Sequence, residues 1–166
     1  MAAIVAVASV PPRSKTRSPH PITVGTLTVV PWVDPVIDKI GYDPRSVYAE
    51  QFWLSIIGPS ALWLLRRLAD GFDTWPDGFD IDLTELAQSL GLSFNGGDKS
   101  IFVRTLIRVE QFGLAHRTAQ AGLLVRRRLP TLTRRQTDRL PDSLRVAHAE
   151  WMRHELDQVE PLSAAC

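Results

Sequence analysis

The single cysteine is Cys166, the last residue, so neither an intrachain disulfide nor a cysteine-built zinc site is available. Lysine is scarce as well, three against sixteen arginines. Codon bias produces such a ratio as readily as phosphate recognition does, so only the clustering of the arginines carries weight. Long apolar runs are missing: Phe52 to Leu65 has no charge, but Gly58-Pro59 interrupts it, and a bilayer span needs about 20 residues. The apolar stretch Ala2 to Val10 is followed, not preceded, by Arg13 and Lys15, which does not fit a secretory signal. There is no glycine-rich phosphate loop and no Gly-x-Ser-x-Gly elbow. Gly96-Gly97-Asp98-Lys99-Ser100 has the ending of a nucleotide loop without the upstream glycine or the preceding strand. His148, His154 and Glu155 lie close together, yet the two histidines are six apart and fall on different helix faces, whereas helical metal ligands are spaced three or four. The expectation is therefore a cytoplasmic protein with no enzymatic activity, no cofactor and no metal.

What the chain does have is enough apolar material, 45% of 166 residues, for one core, and a segregated charge. Residues 31–96 hold four basic residues against ten acidic ones; residues 97–140 hold ten basic against three acidic. A net charge of +1 hides this asymmetry. It fits a polyanion binder, or else two halves that neutralise each other within the fold.

The proline-rich first thirty residues are expected to form a leader without fixed structure, although Thr26 to Val30 alternates weakly enough to be a strand. Pro44 to Ile57 and Pro59 to Phe72 read as helices divided by Gly58-Pro59, since proline suits a first helical turn. In the second, Leu62, Leu65, Leu68 and Ala69 form the buried face and Arg66 and Arg67 the outer one. Trp53 and Trp63 are core residues or a partner surface. Phe79 to Leu83 alternates apolar and acidic as a half-exposed strand. After Pro130, Thr133 caps a short helix reaching Leu140, and Pro141 opens a last helix whose Leu144, Ala147, Trp151 and Leu156 form a stripe that packs within the chain or on a second copy.

Between these lies the stretch that organises the rest. Thr84 to Leu90 is a helix ended by Gly91. A turn over 93–97 follows, then a helix capped by Asp98 or Ser100. Two short strands, Leu114 to Thr118 and Leu123 to Leu129, flank a turn over 119–122 in which Gly122 supplies a positive dihedral. Leu83-Thr84-Glu85-Leu86-Ala87 with Leu90-Gly91-Leu92, and then Leu106, Val109, Gly113 and Leu114, resemble a winged helix-turn-helix DNA-binding domain. The whole chain is similar to short actinobacterial proteins of no assigned function. The resemblance implies a mainly α fold with a small antiparallel sheet (α+β), three strands being expected from Phe79–Leu83 and the hairpin. It places a winged-helix domain over residues 31–158 with extra helices at both ends, and an unstructured tail over 159–166.

In the second helix of the motif, Phe102, Val103, Leu106 and Val109 share the core side, while Ile101, Arg104, Thr105 and Arg108 share another. Arg104, Thr105 and Arg108 are suitable major-groove readers, and Lys99 and Ser100, at the positive end of the helix dipole, suit a phosphate. On the hairpin, Arg117, Arg126 and Arg128 point outward as phosphate contacts, and Arg127 must snorkel or the strand must end there. The function expected is DNA binding, sequence-specific or general, in transcription regulation, with duplex read by residues 99–112 and a basic wing over 115–128. The alternative is a non-catalytic protein-interaction adaptor on the same scaffold. A homodimer through the Trp151 helix or the Trp53/Trp63 region accompanies either reading.

Overall fold

A computed structural model describes residues 25–95, 99–118 and 122–159. The weakly alternating Thr26–Pro31 is strand β1, and it lies inside the sheet rather than at its edge. The boundary expected at residue 31 therefore cuts a strand that belongs to the domain. The remainder of the expected leader, through residue 24, and the tail from residue 160 lie outside the described residues. Asp34 then caps the short helix α1 (Pro35–Ile40), accepting from the amides of Val36 and Ile37.

The helix expected over 44–57 begins only at Val47, passes through a π turn, Ala49–Trp53, and closes as α2, Leu54–Ile57. Gly58 takes φ +82°, and Pro59 starts α3 (Pro59–Thr74). The sharp corner between α2 and α3 is thus written in the Gly-Pro pair. β2 (Phe79–Asp82) leads directly into α4 (Leu83–Ser89), where Asp82 caps by accepting from the Glu85 amide. Gly91 follows at φ +66°, the left-handed exit that its position requires. α5 (Ile101–Gln111) carries the second helix of the motif, and β3 (Ala115–Arg117) and β4 (Gly122–Val125) form the hairpin. α6 (Arg134–Thr137) has the capping box of Thr133 with Gln136, and α7 (Asp142–Val159) closes the fold.

The result is a mainly α fold with a small sheet, and the sheet corrects two expectations. It has four strands in the order β2-β1-β4-β3, and it is mixed: β1 pairs antiparallel with β2 and parallel with β4. β2 never touches the hairpin because β1 stands between them. Val29, at 0% exposure, brings a buried side chain to the sheet centre, whereas β2 alternates half-buried Phe79 and Ile81 with exposed Asp80 and Asp82 and takes the edge. Gly122 is not a turn glycine; it lies in β4, in register with Thr28. The hairpin tip at 119–121 is outside the described residues.

The core joins both faces of the problem. Leu62, Leu64, Leu65, Leu68 and Phe72 of α3 meet Leu83, Leu86 and Ala87 of α4 and Phe102, Leu106 and Val109 of α5. Trp53, fully buried, donates its Nε1 proton to the Pro130 carbonyl at 2.9 Å, so it is no partner surface. The last helix packs within the chain: Trp151 sits edge-on to Tyr42, Tyr48 and Phe52. Leu156 departs from the expected stripe at 65% exposure. In its place the buried residue is His148, whose Nε2 is 2.9 Å from the Tyr48 hydroxyl, itself accepting from the Leu132 amide at 2.9 Å.

Candidate nucleic-acid interface

α5 owes its position to its own amphipathic pattern. Phe102, Val103, Leu106 and Val109 are all buried, and the Ser100 hydroxyl caps the helix by accepting from the Val103 amide at 3.2 Å. Ser100 is thus confirmed as the cap, while Asp98 lies outside the described residues. Lys99 stands exposed just before the first turn, and Arg104 and Arg108 are exposed along it. None of the three forms an ion pair among the described residues.

Thr105 does not join them, which corrects its assignment to the outward face. It is 6% exposed and donates its hydroxyl proton back to the Ile101 carbonyl at 2.9 Å. The reason is that α5 is covered on two sides. Beyond its core stripe, the flank carrying Thr105 faces the α2–α3 corner, and the two walls enclose a groove of about 450 Å³ over Gly58, Pro59 and Ser60. Arg108 leans across this groove, with Nη1 3.4 Å from the Ile57 carbonyl.

The hairpin arginines behave differently from the expectation. Arg117 is not an outward finger: its guanidinium grips Glu110 of α5 with two bonds of 2.7 Å, and both side chains are only 17% exposed. β4 ends at Val125, so Arg126, Arg127 and Arg128 follow the strand at the base of the hairpin instead of lying on it. Arg126, also expected outward, is held by Asp34 at 2.8 Å and the Gly113 carbonyl at 2.9 Å, and lies 4.1 Å from the ring centre of Trp32. The same guanidinium keeps the Asp34 carboxyl below the ordinary carboxylate range, helped by the Ile37 amide. Arg127 bonds the Pro76 carbonyl and covers Phe72, and Arg128 bonds the Gly41 carbonyl at 3.0 Å. Both remain exposed but border a cleft that also holds Asp38, Asp43 and Asp73.

Part of the charge segregation is therefore consumed internally. Arg45 completes this pattern by bridging Asp43, Asp70 and Asp73. On β2 the acidic side chains are used locally: Asp80 accepts from the Thr28 hydroxyl at 2.6 Å and Asp82 serves as the α4 cap. Cations exposed without an ion pair among the described residues include Lys99, Arg104 and Arg108 at α5, Arg67 on α3, Arg127 and Arg128, and Arg134, Arg135 and Arg139 around α6, with Lys39 and Arg153 standing apart from them.

Sequence reasoning missed the groove itself, whose lining depends on how α3 docks on α5. Its signal was the Gly58-Pro59 corner, read only as a helix break. Among the described residues no cluster of three potential metal ligands exists, and no helix is long and apolar enough to cross a membrane. No protein-family model, curated protein or solved structure matches the chain.

Proposed function

We propose that the chain binds duplex DNA through α5, in a winged helix-turn-helix arrangement with α4 and α5 as the two helices and β3–β4 as the wing. The observation that carries this reading is the sorting of the arginines. Arg117 and Arg126 at the hairpin are paired with carboxylates within the fold, whereas Lys99, just before α5, and Arg104 and Arg108 on it stand exposed without an acidic partner among the described residues. A guanidinium can make paired bonds to a guanine edge, and a lysine before a helix N-terminus suits a phosphate. The wing is then a support more than a reader. Arg127 lies near Phe72 and Arg108 near Pro59, positions about 20 Å apart along α3. Transcription regulation is the role that goes with this activity.

Gel shifts at two salt concentrations, with Arg104→Ala and Arg108→Ala, test it. Each change should cost roughly 1 to 3 kcal/mol on a preferred site and far less on random duplex. Retained binding in the double variant, with the fold intact, would sink the assignment. The adaptor reading keeps one observation in its favour: Val33, Val36 and Ile40 are exposed at 71%, 63% and 65% around α1. It gains if the chain ignores duplex at low salt.

A further inference from the structure

The groove beside α5 has a neighbour across the α2–α3 corner. Pro59 and Ser60 line it from one side and, from the other, line a second hollow of about 360 Å³ bounded by Trp63, Arg67 and the end of α4 at Ser89 and Leu90. The two hollows share this lining on either side of the start of α3, a path that an extended ligand would follow as one channel. Its charge is one-sided: Arg104 and Arg108 stand on the α5 wall and Arg67 on the far wall, and no carboxylate lines either half among the described residues. That contrasts with the cleft at the other end of α3, where Asp38, Asp43 and Asp73 offset the arginines.

The channel also presents an aromatic ring. Trp63 is 56% exposed although it lies in the apolar stretch of the chain. Its indole is held from one side by Arg66, whose guanidinium is 4.8 Å from the ring centre and is itself fixed by Glu50. A ring immobilised in this way offers a stacking surface with little ordering left to do on binding. Cations interleaved with a fixed, exposed aromatic are what a strand with unpaired bases requires, since the phosphates follow the arginines and a base lies on the ring. The interior base pairs of a duplex are stacked on both faces, so the indole can engage them only by wedging them apart, at the cost of unstacking the step.

The geometry points to a nucleic-acid strand with unpaired bases as the occupant of this channel, Trp63 stacking a base and Arg67 holding the backbone beside it, with Arg104 and Arg108 on the opposite wall left to the paired DNA. The inference deepens the duplex-binding proposal and rests on it: α5 would engage paired DNA while the channel beside it receives a single-stranded continuation. The preferred ligand is then a junction between duplex and single strand.

The experiment compares, by fluorescence anisotropy, a blunt duplex, the same duplex with a single-stranded tail, and the free tail, using the full chain. The tailed duplex should bind more tightly than the blunt one. Trp63→Ala should weaken the tailed complex roughly 5- to 150-fold, the worth of one stacked base, while leaving blunt duplex unchanged. Trp63→Phe should keep most of the gain. An unchanged thermal melt in both variants shows that the fold is retained. Equal affinity for tailed and blunt duplex in the unaltered chain overturns the inference and leaves duplex binding standing. Tail binding that depends on Trp63 in the absence of any duplex affinity supports the channel and removes the duplex reading, and binding of no DNA removes both. Displacement of the tail by polyglutamate as effectively as by free single strand would make the channel an acidic-peptide site, which also overturns the inference.

Discussion

Tyr48 is the residue through which the last third of the chain is fastened to the helical core, and Tyr48→Phe isolates what its hydroxyl contributes. The ring is fully buried, stacked at 3.6 Å on Tyr42 and edge-on to Phe52 and Trp151. Phenylalanine keeps all of that packing and opens no cavity. What disappears is one oxygen atom with two partners, the Leu132 amide and His148 Nε2, each at 2.9 Å. Both bonds are buried, so neither partner finds water in exchange. A buried polar group left unsatisfied costs about 1 to 3 kcal/mol, and two of them roughly 2 to 6. For a chain of this size that is on the order of 5 to 15 °C in Tm. Urea unfolding followed by far-UV circular dichroism measures the cost, with His148→Leu and the double variant completing a cycle. The two sites should couple, because they share one bond. A loss below about 0.5 kcal/mol, the level of an ordinary surface substitution, would show that the clasp is not made and that aromatic packing alone docks α7.

Two further substitutions test the reassigned candidates. Arg117→Ala should lower stability by roughly 1.5 to 3 kcal/mol, since it strands the half-buried Glu110 carboxylate, and should leave the salt dependence of duplex binding unchanged; a flatter salt slope in a gel-shift series would restore Arg117 as a phosphate contact. Thr105→Val should stay within about 1 kcal/mol of the parent, because the lost hydroxyl bond runs only to the preceding turn, and should leave binding as it was. Lost site preference in that variant would mean Thr105 turns outward on the DNA.

Periodicity reached the helices and their ends because those depend on local chemistry. Ser100, Thr133 and Gly91 act where they stand, and a capping hydroxyl or a left-handed glycine needs no distant partner. It failed wherever a residue's fate was decided by something far along the chain. β1 pairs with β4 almost a hundred residues away, and nothing within Thr26–Pro31 specifies that neighbour or its direction. Thr105 has the helical phase of a surface residue and is buried because α3 lies over its flank. Arg126 looks like a wing finger until Asp34 and Trp32 close on it. The segregation of charge was legible; its partial consumption by internal pairing was not, since that needs the two halves in contact. His148 was weighed only as a metal ligand, and its burial against Tyr48 follows from α7 docking on the π turn.

That burial has a pH consequence. Desolvation lowers the His148 pKa from its usual 6.5, and the negative charge of Glu155, the carboxylate acting on it, opposes the shift without cancelling it. Tyr48 resists ionisation, its own pKa pushed up to about 12 by burial, so it remains a neutral hydroxyl throughout the relevant range. With its oxygen accepting from Leu132, that hydroxyl directs its proton at an unprotonated Nε2. A protonated imidazole would present a second donor to the same position. Above pH 6.5 the histidine is neutral in the folded and the unfolded chain, and the full stability is present. Between 6.5 and the lowered folded value the unfolded chain binds more protons, so stability falls as the pH falls through this window. Asp34 and Asp43, held below 3.8 by Arg126 and Arg45, lose their contribution as the pH falls below that value, outside the range of the measurement below. Tm measured from about pH 7.5 to about 5.5 should therefore drop more in the parent than in His148→Gln, which keeps an acceptor for Tyr48 but has nothing to titrate. Parallel curves would mean that His148 charges at no cost, and that the contact with Tyr48 is too loose to exclude water.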